Sequence, residues 1–185
     1  MSATSTALMT AEELMELPRD GFRYELINGE LEKMPPPGLP HGRIAFRISL
    51  LLGQFIVDHG LGEGFATDTG FQLTSNPDTV LAPDFAFITN EHFAEKSETV
   101  GYWPGPPDLA VEVLSPSDRP GKVKLKISRW FSFGTKQVWI VDMKHSTVTI
   151  YRSPSDATTF SGSDYLEAQD LFPGFRLSLN RIFGT

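Results

Sequence analysis

The sequence predicts an α/β fold, a mixed β-sheet flanked by helices, from three observations. Apolar residues recur at three- and four-residue steps over two long stretches, from about Pro40 to His59 and from Asp118 to Phe133, as amphipathic helices require. Short runs rich in β-branched and aromatic residues, among them Leu81 to Ile88, Asp108 to Leu114 and Gln137 to Asp142, read as strands. The order is helix, hairpin, helix, several strands, helix, two strands, which places helices on the faces of a mixed sheet. A chain of 185 residues fits one domain, expected over residues 10–185, with Met1 to Met9 as a flexible N-terminal tail.

Each element has a local reason. Thr10-Ala11-Glu12-Glu13 is a capping box that opens a short helix to about Leu17, before Pro18 and Gly21. Arg23 to Ile27 and Glu30 to Met34 flank Asn28-Gly29, the pair a type I′ turn prefers because both residues take positive φ; this is an N-terminal β-hairpin. Pro35-Pro36-Pro37-Gly38 ends it. In the next helix Ile44, Ile48, Leu51, Leu52, Phe55 and Ile56 form the apolar stripe, and Gly60 terminates it. Gly64 to Leu73 reads as one strand and Leu81 to Ile88 as another, with a turn at Asn76-Pro77-Asp78 between them. Residues 89–107 read as a polar loop long enough to suggest function. Val123, Ile127, Trp130 and Phe131 give the second long helix its stripe, and Gly134 ends it. Strands then follow at 137–142 and 147–151, with short ones at 164–168 and 175–179.

Composition excludes several classes. There is no cysteine, so disulfides and thiolate metal sites are absent; a cytoplasmic location is compatible. No apolar run reaches the length of a membrane span, and the N-terminus lacks the basic and apolar segments of a secretory signal. Glycine-rich phosphate loops, dinucleotide fingerprints and nucleophile elbows are missing. The net charge of -7 argues against a wholly basic nucleic-acid surface. Yet Arg119 to Lys136 holds six of the 16 basic residues and none of the 23 acidic ones. A local cationic patch on an acidic protein can still meet a phosphate backbone.

The chemistry points to acids on core strands. Glu112 sits within Leu109-Ala110-Val111-Glu112-Val113-Leu114, and Asp84 opens Asp84-Phe85-Ala86-Phe87-Ile88. An isolated carboxylate is costly to bury, so such groups are paired, protonated or metal-bound. If the two strands are neighbours, both carboxyls converge at one sheet edge. Oxygen ligands of this kind suit Mg²⁺ or Mn²⁺. A lysine beside them would complete a phosphodiester-cleaving set. Lys122, Lys124 and Lys126 are the candidates; Lys124 and Lys126 border opposite sides of the apolar stripe, and periodicity does not choose between them. Glu25 in the hairpin is a further candidate acid. His41, at the start of the long helix, is a candidate for DNA contact, as are Lys122, Lys124 and Arg129. The competing reading is structural: buried acids satisfied by lysine or backbone, and lysines snorkelling to solvent.

Four segments resemble a known family. They are Arg23-Tyr24-Glu25-Leu26-Ile27-Asn28-Gly29-Glu30, then Pro83-Asp84 with Pro107-Asp108-Leu109-Ala110-Val111-Glu112-Val113-Leu114-Ser115-Pro116-Ser117, and Val138-Trp139-Ile140-Val141-Asp142. Together they resemble the Uma-two family of restriction-endonuclease-like proteins, within the PD-(D/E)XK nuclease superfamily, over about Thr10 to Phe183. The resemblance implies a restriction-endonuclease-like fold and Mg²⁺- or Mn²⁺-dependent cleavage of DNA, with Asp84 and Glu112 as metal ligands. The superfamily's lysine, expected two residues after Glu112, is replaced here by Leu114. The family pattern supplies it from the following helix, where Lys126 matches, four residues before Trp130 and eight before Gly134. Catalytic roles are thus expected for Asp84, Glu112, Lys126 and Glu25. A catalytically weak or inactive module, binding nucleic acid or protein on the same fold, is the alternative. A homodimer is expected, because two sites suit the two strands of a duplex, with Tyr102 and Trp103 as a candidate contact.

Overall fold

The computed structural model describes residues 8–96, 98–116 and 118–184. Most of the expected N-terminal tail, and Ser117 of the family motif, lie outside the described residues. Helix α1 (Ala11–Met15) precedes a hairpin of β1 (Arg23–Ile27) and β2 (Glu30–Met34), then α2 (Leu39–His59). Next come β3 (Gly62–Ala66), β4 (Phe71–Thr74), β5 (Thr79–Leu81), β6 (Phe85–Thr89), α3 (Asn90–Ala94), β7 (Trp103–Pro104), β8 (Leu109–Leu114) and α4 (Pro120–Ser132). The remainder is β9 (Gln137–Asp142), β10 (Thr147–Ser153), β11 (Asp156–Ser161), β12 (Tyr165–Glu167), β13 (Arg176–Ser178) and α5 (Leu179–Phe183).

The centre is a six-stranded mixed sheet in the order β11-β10-β9-β8-β6-β3. Only β8 and β9 run parallel in it, and α4 is the crossover between them. Because side chains alternate along a strand, this sheet feeds two cores. Leu109, Val111, Val113, Phe85, Phe87, Trp139 and Val141 pack with Ile44, Ile48, Leu52 and Ile56 of α2 and with Leu177, Leu179 and Ile182 near the C-terminus. On the other face Ala110, Ala86, Ile88, Val138 and Ile140 pack with Ile127 and Trp130 of α4 and with Phe71, Leu81 and Trp103. Those last three belong to a second sheet, ordered β2-β1-β5-β4-β7. The mixed sheet with flanking helices is thus as the sequence predicts, and the short strands β12 and β13 pair with each other.

Local signals hold where they are chemical. Thr10 and Glu13 form both bonds of the capping box. Asn28 and Gly29 have φ of 50° and 78°, and β1 pairs β2 from Ile27↔Glu30 to Arg23↔Met34. Gly60 closes α2 in the left-handed region, its N–H donating to Ile56 and Val57. Two expected strands are instead broken. Gly64 to Leu73 divides into β3 and β4, in different sheets, around a turn where Asp68 has φ of 67°. Leu81 to Ile88 divides into β5 and β6, again in different sheets, at Ala82-Pro83-Asp84. Proline has no N–H for the ladder, so pairing stops there and the chain crosses from one sheet to the other.

The expected polar loop at 89–107 is also partly structured. It contains α3 and β7, which runs parallel to β4. Trp103 is only 8% exposed and its ring stacks on Phe93 at 5.7 Å. Tyr102 is half-buried. The expectation of an exposed aromatic contact there is therefore corrected: Trp103 fills the second core and Tyr102 packs against a smaller cluster of Ala11, Leu14, Leu26 and Val80, because an aromatic ring gains more from burial in an apolar layer than from solvent.

Candidate active site

The break at Pro83 positions Asp84. Its backbone N–H still donates to Val111 O at 3.0 Å, so it continues the β6–β8 pairing by one residue. In that pairing Phe85 opposes Val111 and Ala86 opposes Ala110, and Asp84 lies alongside the Val111–Val113 stretch of β8, its backbone on Val111 and its carboxyl on the Val113 N–H. Glu112 shares the face of Ala110, two residues earlier on β8, which α4 covers, so it meets the helix that follows its own strand.

Both carboxylates are buried and held by fixed donors. Asp84 Oδ2 accepts from Val113 N–H at 2.8 Å and lies 3.2 Å from His41 Nε2, while Oδ1 accepts from Arg23 at 3.3 Å. Glu112 Oε1 accepts from Trp130 Nε1–H at 2.9 Å. Its Oε2 lies 2.9 Å from Lys126 Nζ, which reaches Glu25 Oε1 at 3.3 Å. Glu25 Oε1 also accepts from Ala82 N–H. Arg23 and Glu25 are two apart on β1 and share its face. The hairpin thereby contributes one cation and one acid.

The charges are uneven. Three carboxylates face one ammonium and one guanidinium. Burial pulls the Lys126 ammonium down, but Glu112 and Glu25 outweigh it, so its pKa stands raised. Burial pushes Glu112 up to about 7; Lys126 opposes this, while Asp84 and Glu25 add to it. The ammonium keeps its proton and the excess negative charge falls on Glu112. Burial pushes Asp84 upward too, but the His41 hydrogen bond and charge, the Val113 N–H and Arg23 bring it below the ordinary carboxylate range. The same hydrogen bond, donated to Asp84, raises His41 against its own burial.

Asp84, Glu112, Lys126, Glu25 and His41 all line one cleft of about 490 Å³, and Lys122 and Arg129 line it too. The triproline segment and Gly38 form another wall. Lys124 lies elsewhere, on an adjoining groove of about 1020 Å³ between α4 and strands β9 and β10. Geometry thus separates the two lysines that periodicity left open: Lys126 is the one that reaches the acids. Sequence reading missed Arg23, which stands two residues before Glu25, and the role of Trp130. The Trp130 signal was present, since residues four apart share a helix face. Among the described residues no three histidine, aspartate or glutamate side chains stand arranged to hold a metal.

Trp130 is fully buried and its indole N–H is the donor to Glu112 Oε1. Trp130→Phe is expected to cost about 1–3 kcal/mol, the penalty of stranding a buried acceptor, beyond the lost packing. Urea unfolding at neutral pH measures it. A smaller loss at pH 5, where Glu112 is protonated, separates the hydrogen bond from the packing.

The fold is that of a restriction-endonuclease-like α/β protein, a mixed sheet flanked by helices. The chain is similar to a crystal structure described as "a putative nuclease belonging to DUF820" from Anabaena variabilis ATCC 29413, with a TM-score of 0.80 at 22% identity, over 95% of this chain and 98% of that one. The chain belongs to the Uma2 family, described as "Putative restriction endonuclease", whose profile matches residues 11–180. No curated protein matches it. Among the described residues no helix is long and apolar enough to cross a membrane.

Proposed function

We propose that this chain is a metal-dependent endonuclease that hydrolyses DNA phosphodiester bonds in the cleft between α4 and the N-terminal hairpin, with residues 10–185 acting as one cytoplasmic domain. One observation carries the reading: Lys126 Nζ bridges Glu112 and Glu25, and Asp84 lines the same cleft. The donor set fits a hard divalent cation. It is all oxygen, and it carries excess negative charge that burial already strains. Asp84 and Glu112 would hold Mg²⁺ or Mn²⁺, with Glu25 beside them. When bound, such an ion polarises a phosphate oxygen and lowers the pKa of water.

The chain's own groups do the positioning. Trp130 fixes the Glu112 carboxyl, and Val113 N–H, His41 and Arg23 fix Asp84. The Lys126 side chain keeps 27% exposure, so its ammonium can orient water in the cleft and balance charge growing on a phosphate. Lys122 and Arg129, lining the same cleft, supply phosphate contacts, and Lys124 extends them over the adjoining groove. The protein would act as a homodimer, one site for each strand.

A second reading is a nucleic-acid- or protein-binding module without turnover. The engagement of every Asp84 and Glu112 oxygen by a protein donor favours it. Nicking of supercoiled plasmid with Mg²⁺, Mn²⁺ or chelator tests the two. Metal-dependent product that Asp84→Asn abolishes is the expected result. Retarded DNA without cleavage supports a nucleic-acid-binding module, and neither binding nor cleavage sinks both the nuclease and the nucleic-acid reading.

A further inference from the structure

The inner face of α2 is spent on the core through His41, Ile44, Ile48, Leu52 and Ile56. Its outer face carries four exposed apolar residues beside Arg43 and Gln54. Leu39, Phe46, Leu50 and Val57 are 88%, 66%, 54% and 74% exposed. At 100° per residue these four lie within about 40° of one another, on the side opposite Ile48, forming one apolar stripe about 27 Å long at 1.5 Å per residue. Scattered exposed leucines are ordinary, but four large apolar residues aligned on one face of a surface helix, interrupted by Arg43 and Gly53, point to an interaction site.

The spacing identifies the occupant. Leu39, Phe46, Leu50 and Val57 stand 7, 4 and 7 residues apart, a pattern that reads the same in both directions. Its midpoint is Ile48. Two copies of α2 laid antiparallel about a two-fold axis at that level set Leu39 against the partner's Val57 and Phe46 against the partner's Leu50. An isologous contact has this property, each residue meeting its reciprocal partner. Arg43, on the same face, falls opposite the partner's Gly53, where nothing lies within 4 Å of the position a Cβ would take, so the arginine stem has room.

Charge agrees with the antiparallel sense. The N-terminus of α2 has no side-chain cap from Gly38 and no acid in its first turn. Asp58, exposed at the other end of the helix and accepting from Gln54 through Oδ1, would lie beside the partner's helix N-terminus, where a carboxylate is stabilised by the helix dipole. A parallel pair would instead put like helix ends together. We propose that the outer face of α2 is the homodimer surface, packed antiparallel against a second copy of this chain through Leu39, Phe46, Leu50 and Val57. The inference stands independently of the nuclease reading, since α2 presents this stripe away from the cleft.

Light scattering after gel filtration, over about 1–100 µM, is the first test. The wild type is expected at about 41 kDa, twice the 20.5 kDa of one chain. Leu50→Glu sets a charge against the partner's Phe46 and is expected to give monomer with unchanged circular dichroism. A second measurement fixes the register without depending on that variant's folding. The protein has no native cysteine, so Phe46→Cys and Leu50→Cys variants report cleanly. Mixed under oxidation they are expected to form the 46–50 disulfide-linked pair, with little cross-linking of either variant alone. A wild-type monomer throughout, a Leu50→Glu dimer, or preferential 46–46 cross-linking would each overturn the proposal.

Discussion

Lys126→Met is expected to destabilise the protein by about 2–4 kcal/mol at pH 7.5 and to lower metal-dependent cleavage by at least about 100-fold. The stability loss follows from what the ammonium leaves behind. Glu112 and Glu25 lose their shared counter-charge at 2.9 and 3.3 Å, in a buried site that also holds Asp84. Removing one partner of a buried ion pair costs more than the pair contributes, because the remaining charge is desolvated and alone. The figure sits below the fully buried case because Lys126 keeps 27% side-chain exposure. Lys124→Met is the control. It sits two residues away but on the adjoining groove, and a surface substitution of this kind stays within about 0.5 kcal/mol. Urea unfolding of both variants at pH 7.5 and 5.5 checks the account. The Lys126→Met penalty is expected to shrink at pH 5.5, where Glu112 takes up a proton. An equal penalty at both values would mean that lost packing, not unpaired charge, is the cause.

That pair of lysines also shows where sequence reading stops. A helical period places residues around an axis but not against a particular neighbour. Lys124 and Lys126 therefore look equivalent until β8 and the hairpin are in place. The family resemblance chose Lys126 through its spacing to Trp130, and the geometry gives the physical reason: one helix face presents both groups to the same carboxylate. Elements set by local chemistry, such as the Asn28-Gly29 turn, the Thr10 capping box and the Gly60 cap, were legible because a few adjacent residues decide them. The breaks at Asp68 and Pro83 were not, since apolar residues continue on both sides, and only the existence of two sheets explains why the chain leaves one for the other. Trp103 was misread for the same reason. An aromatic in a run of prolines and glycines looks like a surface loop until Phe93 is seen beneath it. The stripe on the outer face of α2 was also hidden, because the core stripe dominated the helical pattern.

Without metal, stability is expected to fall as pH rises from about 4.5 to about 7, and Glu112→Gln is expected to abolish most of that slope. Glu112 is raised from an ordinary 4.5 to about 7, chiefly by burial and by its acidic neighbours. Below 4.5 the carboxyl is protonated in both states and costs nothing. Between the two values the unfolded chain ionises while the folded state still holds the proton, so folding takes up protons and stability declines with pH. Above about 7 both states are ionised and the loss levels off, at an accumulated penalty on the order of 3 kcal/mol for a shift of this size. His41 acts in the same direction from its ordinary 6.5 upward, because Asp84 raises it. Asp84 works in a separate window. Held below its usual 3.8, it contributes stability above that value which is lost as pH falls through the depressed folded one. A divalent cation favours the doubly ionised pair, so Mg²⁺ or Mn²⁺ is expected to raise the melting temperature more at pH 8 than at pH 5. Glu112→Gln keeps the shape of the side chain and an oxygen for the Trp130 N–H but has no proton to lose. It is expected to fold, to show a flat profile between pH 4.5 and 7 apart from the His41 contribution, and to lose most of the metal effect. Equal metal stabilisation of the wild type and Glu112→Gln would place the ion elsewhere, and the cleft would then lack the ligand pair on which the nuclease proposal rests.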